Sequence, residues 1–279
     1  MKNINIYAFA DEASPNIDNQ IIAMQRNGLS GLEIRGVDGE NVSSISLEKA
    51  KEVKKKMDDA GLVTWSIGSP IGKIKITDDF KSHLDTFKHT LDVAEILGAG
   101  NIRLFSFYIP ENTKPEDCKN EVIDRMGAFL ETAKGRNINL CHENEKGIYG
   151  DIPEHCLELF KALPQLKGIF DPANFVQCGA DTLKAWDMLK DYIFYMHIKD
   201  SLPDGNVVPA GKGAGNIEYI AKSFIEKGGR DFTMEPHLAV FEGLKDLEQE
   251  GEESKIGIYS YGSADEAFDT ACKSFKELI

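Results

Sequence analysis

Ile4-Asn5-Ile6-Tyr7-Ala8-Phe9, followed by Ala10-Asp11-Glu12-Ala13-Ser14-Pro15, is the stretch that decides between two α/β architectures. Its first half is a short apolar run of the kind that makes a buried strand. An open doubly wound sheet announces itself with a glycine fingerprint directly after that strand. Here the following residues, Ala10 to Pro15, contain no glycine. The alternative is a closed barrel, which needs eight such strands, each followed by a helix.

Working outward, further strand candidates appear at Gly31–Arg35, Val63–Ile67, Ile102–Phe107, Ile138–Glu143, Gly168–Asp171, Ile193–Ile198 and Phe232–Glu235. Helical patterns fill the intervals. From Asp79 to Leu97, Phe80, Leu84, Phe87, Leu91 and Ala94 make one apolar stripe, and Gly98 stands where a helix C-terminus wants glycine. From Glu116 to Lys134, Val122, Met126, Phe129, Leu130 and Ala133 share a face, and a last helix spans Ala264 to Leu278. This alternation predicts a (β/α)8 TIM barrel, one domain over residues 1–279. The interval from Pro236 to Gly262 is too long for a plain βα loop, and its acidic stretch, Glu242 to Glu253, could form an extra helix.

Composition narrows the function. Acidic residues outnumber basic ones 46 to 32, for a net charge of −14, which repels a phosphate backbone. The densest basic run, Lys54-Lys55-Lys56, lies beside Asp58 and Asp59 in a helical pattern and reads as a solvated face. Nucleic acid is therefore not an expected partner. No apolar run approaches membrane-spanning length, and Met1 to Ile6 shows no signal-peptide h-region. The five cysteines are scattered without a CxxC pair, as expected of free thiols in a reducing cytoplasm.

Barrels carry their chemistry at the C-terminal ends of the strands. The fifth strand ends in Cys141-His142-Glu143-Asn144-Glu145, the sixth in Phe170-Asp171-Pro172, the seventh in Met196-His197-Ile198-Lys199-Asp200, and the eighth in Met234-Glu235-Pro236-His237. Consecutive strands thus deliver Glu143, Asp171, His197 and Glu235 to one rim. Asp171 and Glu235 each precede a proline, which holds them extended. Three carboxylates and an imidazole are a mainly hard ligand set for one divalent ion: Mg or Mn by their oxygens, with Co, Zn or Fe kept open by the imidazole. A dication would also relieve the repulsion among the carboxylates.

On these residues the chain resembles the xylose-isomerase-like barrels, the sugar phosphate isomerase/epimerase family, which includes ketose 3-epimerases, inosose isomerases and dehydratases, and hydroxypyruvate isomerases. The shared pattern is Glu, Asp, His and Glu on strands five to eight. The segments His197-Ile198-Lys199-Asp200, Pro209-Ala210-Gly211-Lys212-Gly213 and Glu33-Ile34-Arg35 are also similar. Where many members carry a histidine three residues after the strand-six Asp, this chain has Asn174. The resemblance implies a metal-dependent isomerase or epimerase, manganese favoured, acting on a sugar, ketose or inosose through a metal-stabilised enediolate. Glu143 and Glu235 are expected to take and return the proton. A lyase or dehydratase on a 3-oxo-glycoside or inosose is the alternative, and a non-catalytic metal or sugar binder is a third class. A histidine-rich three-zinc nuclease needs histidines at the ends of strands three and four, where this chain has Ile67-Gly68-Ser69 and Phe105-Ser106-Phe107.

Further expectations concern a small carbohydrate ligand and a possible homo-oligomer. Glu33, Arg35, Asn174, Lys199 and His237 are candidate substrate contacts. For Arg35 and Glu33 a rim salt bridge is the competing reading, and for Lys199 a solvated pair with Asp200. His142 has the opposite strand parity to Glu143 and is read as structural. Trp65 and Phe107 are read as core, and His83, His89 and His155 as surface residues. The glycine-rich Gly211 to Asn216 stretch could cradle phosphate, or could only make a tight turn.

Overall fold

The computed structural model describes residues 4–241, 244 and 255–279. Eight short runs become parallel strands: β1 (Asn5–Ala8), β2 (Gly31–Ile34), β3 (Val63–Ile67), β4 (Asn101–Leu104), β5 (Asn139–Glu143), β6 (Lys167–Phe170), β7 (Ile193–Ile198) and β8 (Asp231–Met234). Each pairs with its sequence neighbour, and β8 returns to β1 with Asn5 opposite Asp231 and Ala8 opposite Met234, so the barrel is closed. Closure leaves no unpaired edge. The strand expected over Ile102–Phe107 ends at Leu104, because the Phe105 amide turns to the Ile71 carbonyl in the loop after β3.

The helices start and stop where the sequence supplies caps. Asn16, Ser46, Asp79, Asp181 and Ser263 accept backbone N–H groups at the starts of α1 (Ile17–Arg26), α2 (Leu47–Asp59), α3 (Phe80–Leu97), α7 (Thr182–Leu189) and α9 (Ala264–Lys276). Proline opens α4 (Pro115–Ala133), α5 (Pro153–Ala162) and the short α6 (Pro172–Gln177), and α8 (Ile217–Glu226) follows the glycine-rich loop. Gly98 ends α3 in the left-handed region at φ 72°. Arg26 of α1 binds Asp265 and Asp269 of α9, each at 2.9 Å, and ties the last helix to the first.

Strand parity sorts the interior. Outward residues such as Leu32, Ile67, Ile102, Leu104, Phe170, Met196 and Phe232 join the helix stripes (Met24, Phe87, Leu91, Phe129, Phe224, Phe268) in one large apolar shell. A smaller cluster of Cys141, Ile169 and Tyr195 with Trp65 and Phe194 lies separately; Trp65 stacks on Tyr7 at 4.6 Å. His142, on the outward parity, donates to or accepts from Ser106 Oγ at 2.9 Å, and burial pushes its pKa down to about 3, which keeps it neutral.

The histidines expected at the surface sit deeper. His155 is buried and stacks on Tyr149, His83 accepts the Gly72 amide proton, and His89 meets the Ile45 carbonyl. Lys54, Lys55 and Lys56 pair with Asp58, Asp59 and Asp18, as a solvated face should. The helix expected within Glu242 to Glu253 lies, apart from Leu244, outside the described residues. No helix among the described residues is long and apolar enough to cross a membrane.

Candidate metal centre

The four rim residues converge. Glu143, Asp171, His197 and Glu235 each offer one ligand atom, and these atoms lie within 4.8 Å of one another with all four residues buried. Opposite ligands around a Mg- or Mn-sized ion stand about 4.2 Å apart, twice a metal–oxygen distance of ~2.1 Å. The span therefore suits one ion.

Local sequence sets each carboxylate. Asp171 ends β6 and caps α6: its Oδ1 accepts the Asn174 amide proton at 2.9 Å, while φ −106° and ψ 109° are the extended values that Pro172 imposes. Its backbone is locked by reciprocal 2.9 Å hydrogen bonds with the Asn144 side chain. Asp171 Oδ2 and Glu235 Oε2 are buried and make no hydrogen bond of acceptable direction, although Lys199 Nζ lies 3.0 and 3.5 Å away. Both oxygens are therefore held by ion pairs alone, with Lys199 and, for Glu235, His197, a setting that a bound cation would also satisfy.

The glutamates are arranged alike. Glu143 gives Oε1 to His197 Nδ1 at 2.9 Å and Oε2 to Arg103 Nη1 at 3.0 Å. Glu235 sets Oε2 3.1 Å from the same Nδ1, and Oε1 3.4 Å from Arg35 Nη1. Each therefore has one oxygen on a guanidinium and one on the common centre.

Electrostatics follow the burial. Burial, then Glu235 and Glu143, push Asp171 up to about 7 against the pull of Lys199. Burial opposes a charge on His197, but Glu143 and Glu33 on either side raise its pKa well above the ordinary range. Burial also works against Glu235, yet Lys199 and His197 hold it well below the usual carboxylate range. Burial and Lys199 push His237 down, so it stays neutral.

The expected substrate contacts divide. Lys199 is buried and pairs with Asp171 and Glu235; it does not form a solvated pair with Asp200. Glu33 is fully buried against His197 Nε2, Tyr195 and Ser66, so both of its oxygens have protein partners. Arg35 takes the salt-bridge reading, held by Asp11 at 2.9 Å and Glu12 at 3.2 Å over the Phe9 ring. Asn174 donates to the Asn144 carbonyl at 2.8 Å and to Glu143 Oε1 at 3.4 Å. His237, at φ 44°, sets Nε2 3.4 Å from Glu12 and 3.5 Å from Glu235. Arg103, Asp11 and Glu12 were not foreseen. The signal for Arg103 was a charge at inward parity between Ile102 and Leu104.

The glycine-rich loop is closed. Asp200 accepts the amide protons of Gly211, Gly213 and Gly215 at 2.9, 3.0 and 2.9 Å, so those donors are taken. A Cβ on Gly213 would lie 2.3 Å from Asp200 Oδ1, which explains the glycine. The adjacent groove of about 570 Å³ is lined by Asp200, Glu218 and Glu226 together with Lys222, a poor setting for an anion. The phosphate reading gives way to the tight turn.

This fold is that of a known class. The chain belongs to the xylose isomerase-like TIM barrel family, whose profile matches residues 21–251. Among solved structures, it is similar to D-allulose 3-epimerase from Methylomonas sp. (TM-score 0.75, 14% identity, 100% of this chain and 99% of that one). The probable 3-DHS dehydratase AsbF of petrobactin synthesis from Bacillus anthracis gives 0.73 at 16% identity, over 98% of each chain. The IOLI protein, solved with a zinc atom, gives 0.73 at 16% identity, over 99% of this chain and 98% of that one. At these identities they share the fold. A search of curated proteins found no match.

Proposed function

We propose that the protein is a divalent-metal-dependent isomerase or epimerase of an unphosphorylated sugar, ketose or inosose. The observation that carries this reading is the pair of glutamates, Glu143 and Glu235, flanking one imidazole nitrogen with a guanidinium behind each. Glu143, Asp171, His197 and Glu235 would hold the ion, manganese by preference; when bound, it supplies Lewis-acid polarisation of a carbonyl oxygen.

The chain's own residues do the rest. Arg103 and Arg35 each hold one oxygen of the two carboxylates and fix their direction, so that one, in its ionised form, can take a proton from the carbon next to the carbonyl. The enediolate left behind takes its proton from the other glutamate, which enters the cycle in its acid form, and exchange with solvent then resets the pair. Return to the opposite face of the same carbon is epimerisation, and return to the neighbouring carbon is isomerisation. General acid–base help of this kind contributes ~10²–10⁴-fold. The occupied amides of the glycine loop favour a substrate without phosphate. A second reading, elimination from an oxidised glycoside or inosose, is favoured by Lys199, whose ammonium between Asp171 and Glu235 could protonate an expelled oxygen.

The test is proton exchange in D₂O with ketoses, inososes and 3-oxo-glucosides, followed by NMR. Glu143→Gln and Glu235→Gln should each abolish deuterium incorporation. Full exchange in both variants would remove the assignment, and release of an aglycone or a dehydrated sugar would select the elimination.

A further inference from the structure

Behind the ligand cluster lies a hydrogen-bonded layer that the proposed chemistry does not use. Glu33 on β2 is fully buried, with Oε2 3.1 Å from His197 Nε2. Its Oε1 accepts the Tyr195 hydroxyl at 2.9 Å and the Ser66 hydroxyl at 3.2 Å. The two hydroxyls also meet at 3.3 Å, so β2, β3 and β7 are tied together across the barrel axis.

An imidazole that binds a cation through one nitrogen must carry its proton on the other. Here the nitrogens are in different surroundings: Nδ1 faces Glu143 and Glu235, and Nε2 faces Glu33. Turning the ring over would put a carbon where Nδ1 stands. Phe9, edge-on at 5.2 Å, and Tyr195, tilted at 5.5 Å, pack against the ring and oppose that turn. A carboxylate on the remote nitrogen of a metal-binding histidine fixes both tautomer and orientation.

We propose that Glu33, steadied by Tyr195 and Ser66, is a positioning residue that keeps the His197 proton on Nε2 and so presents Nδ1 to the cation. This rests on the metal-site reading, and the readouts are cation affinity and ring-nitrogen chemistry.

Mn²⁺ affinity is measured by calorimetry on the intact protein, and the His197 ring nitrogens by ¹⁵N NMR of the Zn²⁺-loaded form. The wild type should show Nε2 protonated and Nδ1 on the metal. Glu33→Ala should bind Mn²⁺ about 10–100-fold more weakly, the usual effect of losing such a partner. Glu33→Gln, whose amide oxygen can still accept the Nε2 proton, should recover much of that loss. Tyr195→Phe, which leaves the carboxylate in place, should weaken binding less than Glu33→Ala, and it carries the comparison if Glu33→Ala does not fold. Wild-type affinity in both Glu33→Ala and Tyr195→Phe, or a proton found on Nδ1, would overturn the positioning role alone. A wild type that binds no divalent cation would overturn the metal reading and this role with it.

Discussion

Replacing Asp200 by asparagine should destabilise the barrel by about 3 kcal/mol or more, and the structure supplies the arithmetic. The carboxylate is 1% exposed. Oδ1 accepts the amide protons of Ser201 and Gly215, and Oδ2 those of Gly211 and Gly213, all between 2.9 and 3.0 Å. Asparagine turns one oxygen into an NH₂ group that faces two N–H donors. Two hydrogen bonds to a charged acceptor are lost, each contributing ~1.5–3 kcal/mol, so the range is ~3–6 kcal/mol. Some relaxation and entry of water favour its lower half. Urea unfolding of wild type and Asp200→Asn, followed by circular dichroism, reads the difference directly. A loss below ~1 kcal/mol would mean that the loop amides do not depend on this carboxylate. Stabilisation of the wild type by millimolar inorganic phosphate would contradict the closed loop from the other side.

The remaining predictions concern pH and metal. Burial, helped by Arg125, pushes His83 down to about 4, and its Nε2 accepts the Gly72 amide proton at 2.8 Å, which requires the neutral ring. The folded value lies below the unfolded ~6.5, so its contribution is full above that pH and fades as pH falls towards 4. Thermal melts at pH 7 and 5 should therefore differ more for the wild type than for His83→Gln; equal differences would refute the assignment. Mn²⁺ at a hundredfold excess over its Kd should stabilise the fold by ~2.7 kcal/mol. Asp171→Asn should remove most of that gain, and a melting temperature unmoved by any dication would refute the metal centre.

Much of this was legible in the sequence because the signals were periodic or positional. Alternating apolar runs located all eight strands, and the cap residues Asp79 and Gly98 bounded α3. The cluster of Glu143, Asp171, His197 and Glu235 was legible because each residue ends a strand on the same rim, and proline fixed two of them. What stayed hidden was partnership across the barrel. The residue Glu33 could be placed at the end of a strand, but not at a depth, and depth decides whether it meets a sugar or His197. The Arg103 side chain looked like an interruption of an apolar strand until the facing carboxylate of Glu143 was in place. Nothing local in Gly211 to Gly215 reveals that its amides converge on Asp200, because that convergence depends on how the loop folds back on itself.

Closure of the ring has a consequence for assembly. Three of the four candidate ligands come from β5, β6 and β7, but Glu235 follows β8, which is held in place by β7 on one side and β1 on the other. The fourth ligand therefore arrives with the last seam. A chain halted before that seam would offer an incomplete, weakly coordinating pocket and an unpaired border. The cation would then act as a latch on the finished circle, drawing the final docking step forward by mass action and marking which molecules have completed it.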